Sequence, residues 1–195
     1  MSTAVEICSN ALIMLGESPI NSFDDDNTPG GLDRARIASN LWENTRDMLL
    51  RSHPWNCALK RVILSPDVDA PAFDFSYQFS LPGDWLRNHE INGVSADEVD
   101  YVVEGRKLLI DESTIYLRYV FKNTDIGSWD PMLVYCAQLA MATRMAYAVT
   151  QSDAREASLK QELAYELRKA RAVDGQDESP ATLGSFEILS ARRGI

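Results

Sequence analysis

The spacing of apolar residues changes twice along this chain. Up to about residue 52 they recur at helical intervals, from 57 to 121 they alternate with polar residues, and after 131 the helical interval returns. Val5, Cys8, Ala11, Leu12 and Leu15 mark one face of a helix predicted over 4–15. Thr3 and Glu6 have the spacing of a capping box, in which hydroxyl and carboxylate each take a backbone amide at the helix start. Gly16 stands where a left-handed residue would end the helix. A loop rich in Ser, Pro, Asn, Asp and Gly occupies 17–31. A second helix is predicted over 32–52: Ile37, Ala38, Leu41, Thr45, Met48 and Leu49 form its inner stripe, opposite Asp33, Arg36, Glu43 and Asp47. Short connections favour antiparallel neighbours, so these two helices are expected to form a hairpin.

Pro54 lacks an amide proton and pushes His53 out of the helical region, which ends the second helix near Ser52. Trp55 comes next, and its place predicts that it packs where helical and extended segments meet. From Cys57 the period is two, through Ala58, Lys60, Val62 and Leu64. Phe73, Phe75, Tyr77, Phe79 and Leu81 alternate with polar residues and read as the clearest strand. Pro82-Gly83 turns it, and a short strand is predicted over 85–92. The runs 99–104 and 107–110 read as a hairpin about Gly105, and 115–121 alternates again. Trp129-Asp130-Pro131 marks the return to helix.

The third helix, predicted over 133–149, carries Cys136, Ala137, Ala140, Ala142, Ala146 and Ala148, small residues that allow close approach, and is expected to be the most buried. Ser152 or Asp153 caps a fourth helix, striped by Ala157, Leu163, Ala164 and Leu167 and fading by Val173. Residues 174–184 have linker composition. The pattern predicts an α+β fold: an antiparallel helical bundle (1–56 with 129–173) interrupted by an inserted antiparallel β lobe (57–128), then an extended C-terminal tail (174–195). Phe186, Ile188 and Leu189 with Arg192 and Arg193 make that tail the candidate partner interface, because so short a segment cannot bury its own apolar side chains.

A formal charge of −10 speaks against a protein whose main task is gripping nucleic acid. The N-terminus has no basic region, and no uninterrupted apolar run approaches the ~18 residues of a membrane span, so neither a secretory signal nor a span is expected. The cysteines, Cys8, Cys57 and Cys136, are far apart and read as reduced, buried thiols. Neither histidine, His53 nor His89, has metal-ligand spacing, and no catalytic or cofactor motif appears, so no enzyme, metal or cofactor is expected. Asp24-Asp25-Asp26 fails as a calcium loop, since the required glycine would be Pro29 and the closing glutamate Ala35. Gly30-Gly31 is a weak anion signal beside that acidic run. His53 with Cys57 as a catalytic pair is disfavoured against a helix-terminal His and a core Cys. Trp55, Trp85 and Trp129 could stack on bases, with seam packing favoured.

An ordered series of short motifs resembles the tail tubular protein A family, the head-to-tail adaptors, or gatekeepers, of short-tailed bacteriophages. The series is Ile7-Cys8-Ser9-Asn10-Ala11-Leu12, Leu15-Gly16, Ile20-Asn21-Ser22-Phe23-Asp24, Pro54-Trp55-Asn56-Cys57-Ala58, 77–85 around Leu81-Pro82, and Trp129-Asp130-Pro131 opening an alanine-rich helix. The resemblance covers about 4–172 and implies a structural virion protein with no enzymatic activity. It further implies a dodecameric ring at the head–tail junction, made in the host cytoplasm, with the portal protein on one side and the tail nozzle protein on the other. Genomic DNA would pass through its channel during ejection without specific binding. A nucleic-acid-binding module and a tail-associated hydrolase are the alternatives.

Overall fold

A computed structural model describes residues 2–24 and 33–177. Among them are four helices and two antiparallel sheets, an α+β fold. The helices are α1 (Ala4–Met14), α2 (Arg34–Arg51), α3 (Pro131–Thr150) and α4 (Asp153–Asp177). Between α2 and α3 lie β1 (Leu59–Leu64), β2 (Tyr77–Ser80), β3 (Trp85–Ile91), β4 (Val94–Ser95), β5 (Val102–Glu104), β6 (Lys107–Ile110) and β7 (Ile115–Phe121). One sheet runs β1-β7-β3-β4 and the other β2-β6-β5.

Local chemistry sets most element ends. In α1 the Glu6 amide donates to Thr3 Oγ1 at 3.2 Å and the Thr3 amide to Glu6 Oε2 at 2.8 Å, completing the capping box. Gly16, at φ +82°, takes the left-handed conformation that ends it. Asp33 caps α2 through the Arg36 amide (2.9 Å), and Asp130 caps α3 through the Met132 amide (2.7 Å), with Pro131 in the first turn, where its missing N–H costs nothing.

α3 is the axis of the helical part. Its Leu133, Cys136, Ala137, Leu139, Met141, Ala142, Met145 and Ala146 are buried, and α1, α2 and α4 all pack on it. The expected α1–α2 hairpin is not the main contact: each of these helices packs chiefly on α3, because alanines let backbones approach on more than one side. By length and apolarity α3 would cross a membrane, yet 56% of that stretch is buried inside the fold, as in a core helix.

The two sheets enclose a second core of Leu64, Phe79, Leu81, Ile91, Leu108, Ile110, Ile115, Leu117 and Tyr119. Val120, Leu59 and Leu86 point the other way and join the helical core. The predicted strand over 73–81 shrinks to Tyr77–Ser80. Its partner β6 offers only four residues, paired from Tyr77↔Ile110 to Ser80↔Lys107. Upstream, the Phe75 amide bonds the Phe73 carbonyl (2.9 Å) in a γ-turn with Asp74 at φ +68°, and Phe73 lies 76% exposed. Cys57 and Ala58 belong to a 3₁₀ turn, Asn56–Ala58, rather than to β1. The hairpin about Gly105 begins at Val102 and turns through Gly105 and Arg106, both at positive φ. Residues 174–177, expected as linker, continue α4.

Helix α2 ends as Pro54 requires. Beside the Ser52 amide (3.2 Å), its Leu49 carbonyl accepts the Trp55 indole N–H (3.1 Å) and the Ser52 hydroxyl (2.7 Å), side-chain donors that stand in for the His53 amide of a continuing helix. Trp55 is only 1% exposed and sits in the helical core. Trp55→Ala should lower unfolding free energy by about 3–5 kcal/mol, read from the denaturant midpoint. Unchanged stability would show that the indole packs no core.

Candidate functional site

Three side chains from distant parts of the chain hold the junction between helices and sheets. Asp174, on the last turns of α4, accepts the Asn56 amide at 3.1 Å, and its own carbonyl accepts Asn56 Nδ2 at 2.7 Å. Its other carboxylate oxygen lies 3.3 Å from His53 Nε2. Arg171, one turn earlier, donates to Ser52 Oγ (3.2 Å). Asn123, just past β7, is buried and makes three side-chain hydrogen bonds: Nδ2 donates to the Cys57 carbonyl (2.7 Å) and to Ser128 Oγ (2.9 Å), and Oδ1 accepts the Asp125 amide (2.9 Å). Trp129 stacks on Trp42 of α2 with ring centroids 6.5 Å apart. Arg51 reaches from α2 to the Leu86 carbonyl, and Asp47 takes both Arg46 (2.8 Å) and Lys122 (2.7 Å).

These bonds decide the chemical readings of the junction. His53 gives Nε2 to Asp174 and sets its ring edge-on against Trp55 at 4.7 Å. Burial lowers its pKa, Asp174 partly opposing, so the neutral ring is favoured. Burial pushes the thiols up, Cys57 and Cys136 to about 11 and Cys8 to about 12, the reverse of an activated nucleophile. All three cysteines are free. The Trp85 indole donates to Asn88 Oδ1 (2.7 Å) beneath the Arg51 guanidinium, and is thus engaged within the fold like Trp55 and Trp129. Among the described residues no three His, Cys, Asp or Glu side chains are grouped to hold a metal.

Open hollows among the described residues include two that pair apolar with basic side chains. The outward face of the four-stranded sheet forms a hollow of about 400 Å³ lined by Arg61, Ile63, Glu90, Tyr116 and Arg118. Ile63 and Tyr116 are directly opposite and 65% and 60% exposed. Arg61 is opposite Arg118, which donates to Glu90 Oε1 at 2.8 Å. A second, more apolar groove of about 220 Å³ lies where α2, α3 and α4 meet, between Met48, Leu163, Leu167, Arg144 and Arg171.

The candidate interface residues Phe186, Ile188, Leu189, Arg192 and Arg193 lie outside the described residues, as do Asp25, Asp26, Gly30 and Gly31. Sequence reasoning missed Asp174 and Asn123, whose partners are up to 118 positions away, and the two arginines of the groove, which come from different helices. The Ile63 and Tyr116 face was readable in part, since alternation placed both opposite the apolar side of their strands. No protein-family model matches the chain, and no curated protein matches it.

A histidine whose pKa the fold depresses gives stability that is complete above the unfolded value, about 6.5, and is lost as pH falls below it. Melting temperature should therefore drop more steeply below about pH 6.5 in the native chain than in His53→Gln. Parallel profiles would show that His53 carries none of this dependence.

Proposed function

We propose that this chain is a structural adaptor of a short-tailed bacteriophage, a subunit of a ring that joins the portal vertex to the tail nozzle and carries the DNA channel between them. Its work is assembly and conduction rather than catalysis. The observation that carries the reading is the convergence of the motifs behind the resemblance. Pro54-Trp55-Asn56-Cys57-Ala58, the Asp84-Trp85 end of the 77–85 motif and Trp129-Asp130-Pro131, dispersed in sequence, meet at one junction, bound through Asn123, Asp174 and Arg51. That junction joins a helical bundle to a strand-rich insertion, the architecture which the family resemblance implies. Protonated thiols, buried at Cys8 and Cys136 and half-buried at Cys57, and a neutral histidine serve architecture better than turnover. A charge of −10 suits a channel through which DNA must slide, since attraction to phosphates would retain it.

One observation favours a second reading, a nucleic-acid-binding module: Arg61 and Arg118 lie side by side with the exposed Tyr116 ring on an open sheet face. The two readings predict different behaviour. Purified protein mixed with its portal should give rings stacked on the portal in negative-stain images, and should leave random duplex DNA unbound near physiological salt. Submicromolar, salt-sensitive binding of duplex or single strands without portal-bound rings would replace the adaptor by the binding module.

A further inference from the structure

The groove between α2, α3 and α4 has a chemistry that the adaptor reading leaves unused. Its apolar walls include Met48, Leu163 and Leu167, and Met48 is 56% exposed. Methionine at an open groove adapts its shape to an incoming side chain. Two arginines flank this slot. Arg144 donates to Thr45 Oγ1 at 3.0 Å and Arg171 to Ser52 Oγ at 3.2 Å, both hydroxyls, and neither makes a salt bridge among the described residues. In a chain with 29 acidic side chains against 19 lysines and arginines, these two arginines meet only hydroxyls and stand beside an apolar slot. Together they specify a ligand: a short apolar peptide segment carrying a carboxylate.

We propose that the occupant is residues 186–189 of the same chain, Phe186-Glu187-Ile188-Leu189. This segment has three apolar side chains to fill the slot and one carboxylate for the arginines. Its position allows the contact. The described residues of α4 reach Asp177, six residues beyond Arg171, a distance of about 9 Å along the helix. The nine further residues to Phe186 span up to about 30 Å when extended, and Pro180 and Gly184 offer turn residues on the way. A tether of this length holds the segment at millimolar local concentration, well above that of any second copy in dilute solution. Arg192 and Arg193 then lie beyond the docked segment, free to meet an acidic partner. The proposal stands whether or not the chain is an adaptor.

Cross-linking in the full-length chain tests it. Met48→Cys with Ile188→Cys should form a disulfide within one molecule under mild oxidation, mapped by mass spectrometry of the linked peptides. Adding Phe186→Ser and Glu187→Lys should slow that reaction at least about tenfold, because it removes the apolar anchor and reverses the charge facing the arginines. Both additions lie in the tail and leave the two cores intact. An intramolecular rate unaffected by them would mean random encounter of an undocked tail. Disulfides formed mainly between molecules would assign the groove to a second copy. Either result overturns the proposal.

Discussion

A helix closed by proline must hand its last carbonyls to something other than its own next turn. Here the Leu49 carbonyl takes the Trp55 indole and the Ser52 hydroxyl beside the Ser52 amide, and the chain leaves α2 already anchored in the core. The rest of the junction is built on that exit. The 3₁₀ turn Asn56–Ala58 comes directly after it, so its Cys57 carbonyl meets Asn123 from the end of β7, and Asn56 meets Asp174 from the end of α4. A buried asparagine with both amide protons and its oxygen bonded fixes geometry in a way that apolar packing does not. Helical and sheet cores share no large common interior. Val120, Leu59 and Leu86 supply the apolar contact between them, and the polar bonds at the junction set the angle.

Features that depend on a few adjacent residues were legible in the sequence. The Thr3–Glu6 capping box, the Pro54 stop, the Trp129-Asp130-Pro131 restart and the alternation of β7 need no knowledge of distant partners. Alternation misled at 73–76, because it reports a pattern and not a pairing. β6 is too short to extend the ladder, and the γ-turn at Asp74 directs Phe73 into solvent. The continuation of α4 through 174–177 was missed for a related reason. Gly175 and two aspartates make 174–177 a poor helix in isolation, and the bonds of Asp174 to Asn56, 118 residues away, hold it. The groove arginines were invisible for the same cause: Arg144 and Arg171 come together only when α3 and α4 pack.

Labour in this protein is divided between interior and surface. The groups with the greatest capacity for chemistry, namely the thiols, His53 and the tryptophans, are engaged in packing and in the junction. Open surfaces among the described residues include the Arg61–Arg118 face of the sheet and the apolar groove of the bundle. The proposed adaptor role draws on this arrangement, since holding neighbours in register needs surfaces rather than reactive interior groups. In the proposed adaptor the junction would carry functional weight, because force between head and tail would pass from one core to the other through it.

That claim is tested most directly by hydrogen exchange along a denaturant series, comparing amides of Ile115–Phe121 with amides of Pro131–Thr150. If the junction makes the two cores one cooperative unit, both segments lose protection together in the native chain, and Asn123→Ala separates them, with the strand opening first. Independent loss of protection in the native chain, or an unbroken common transition in Asn123→Ala, would contradict the account.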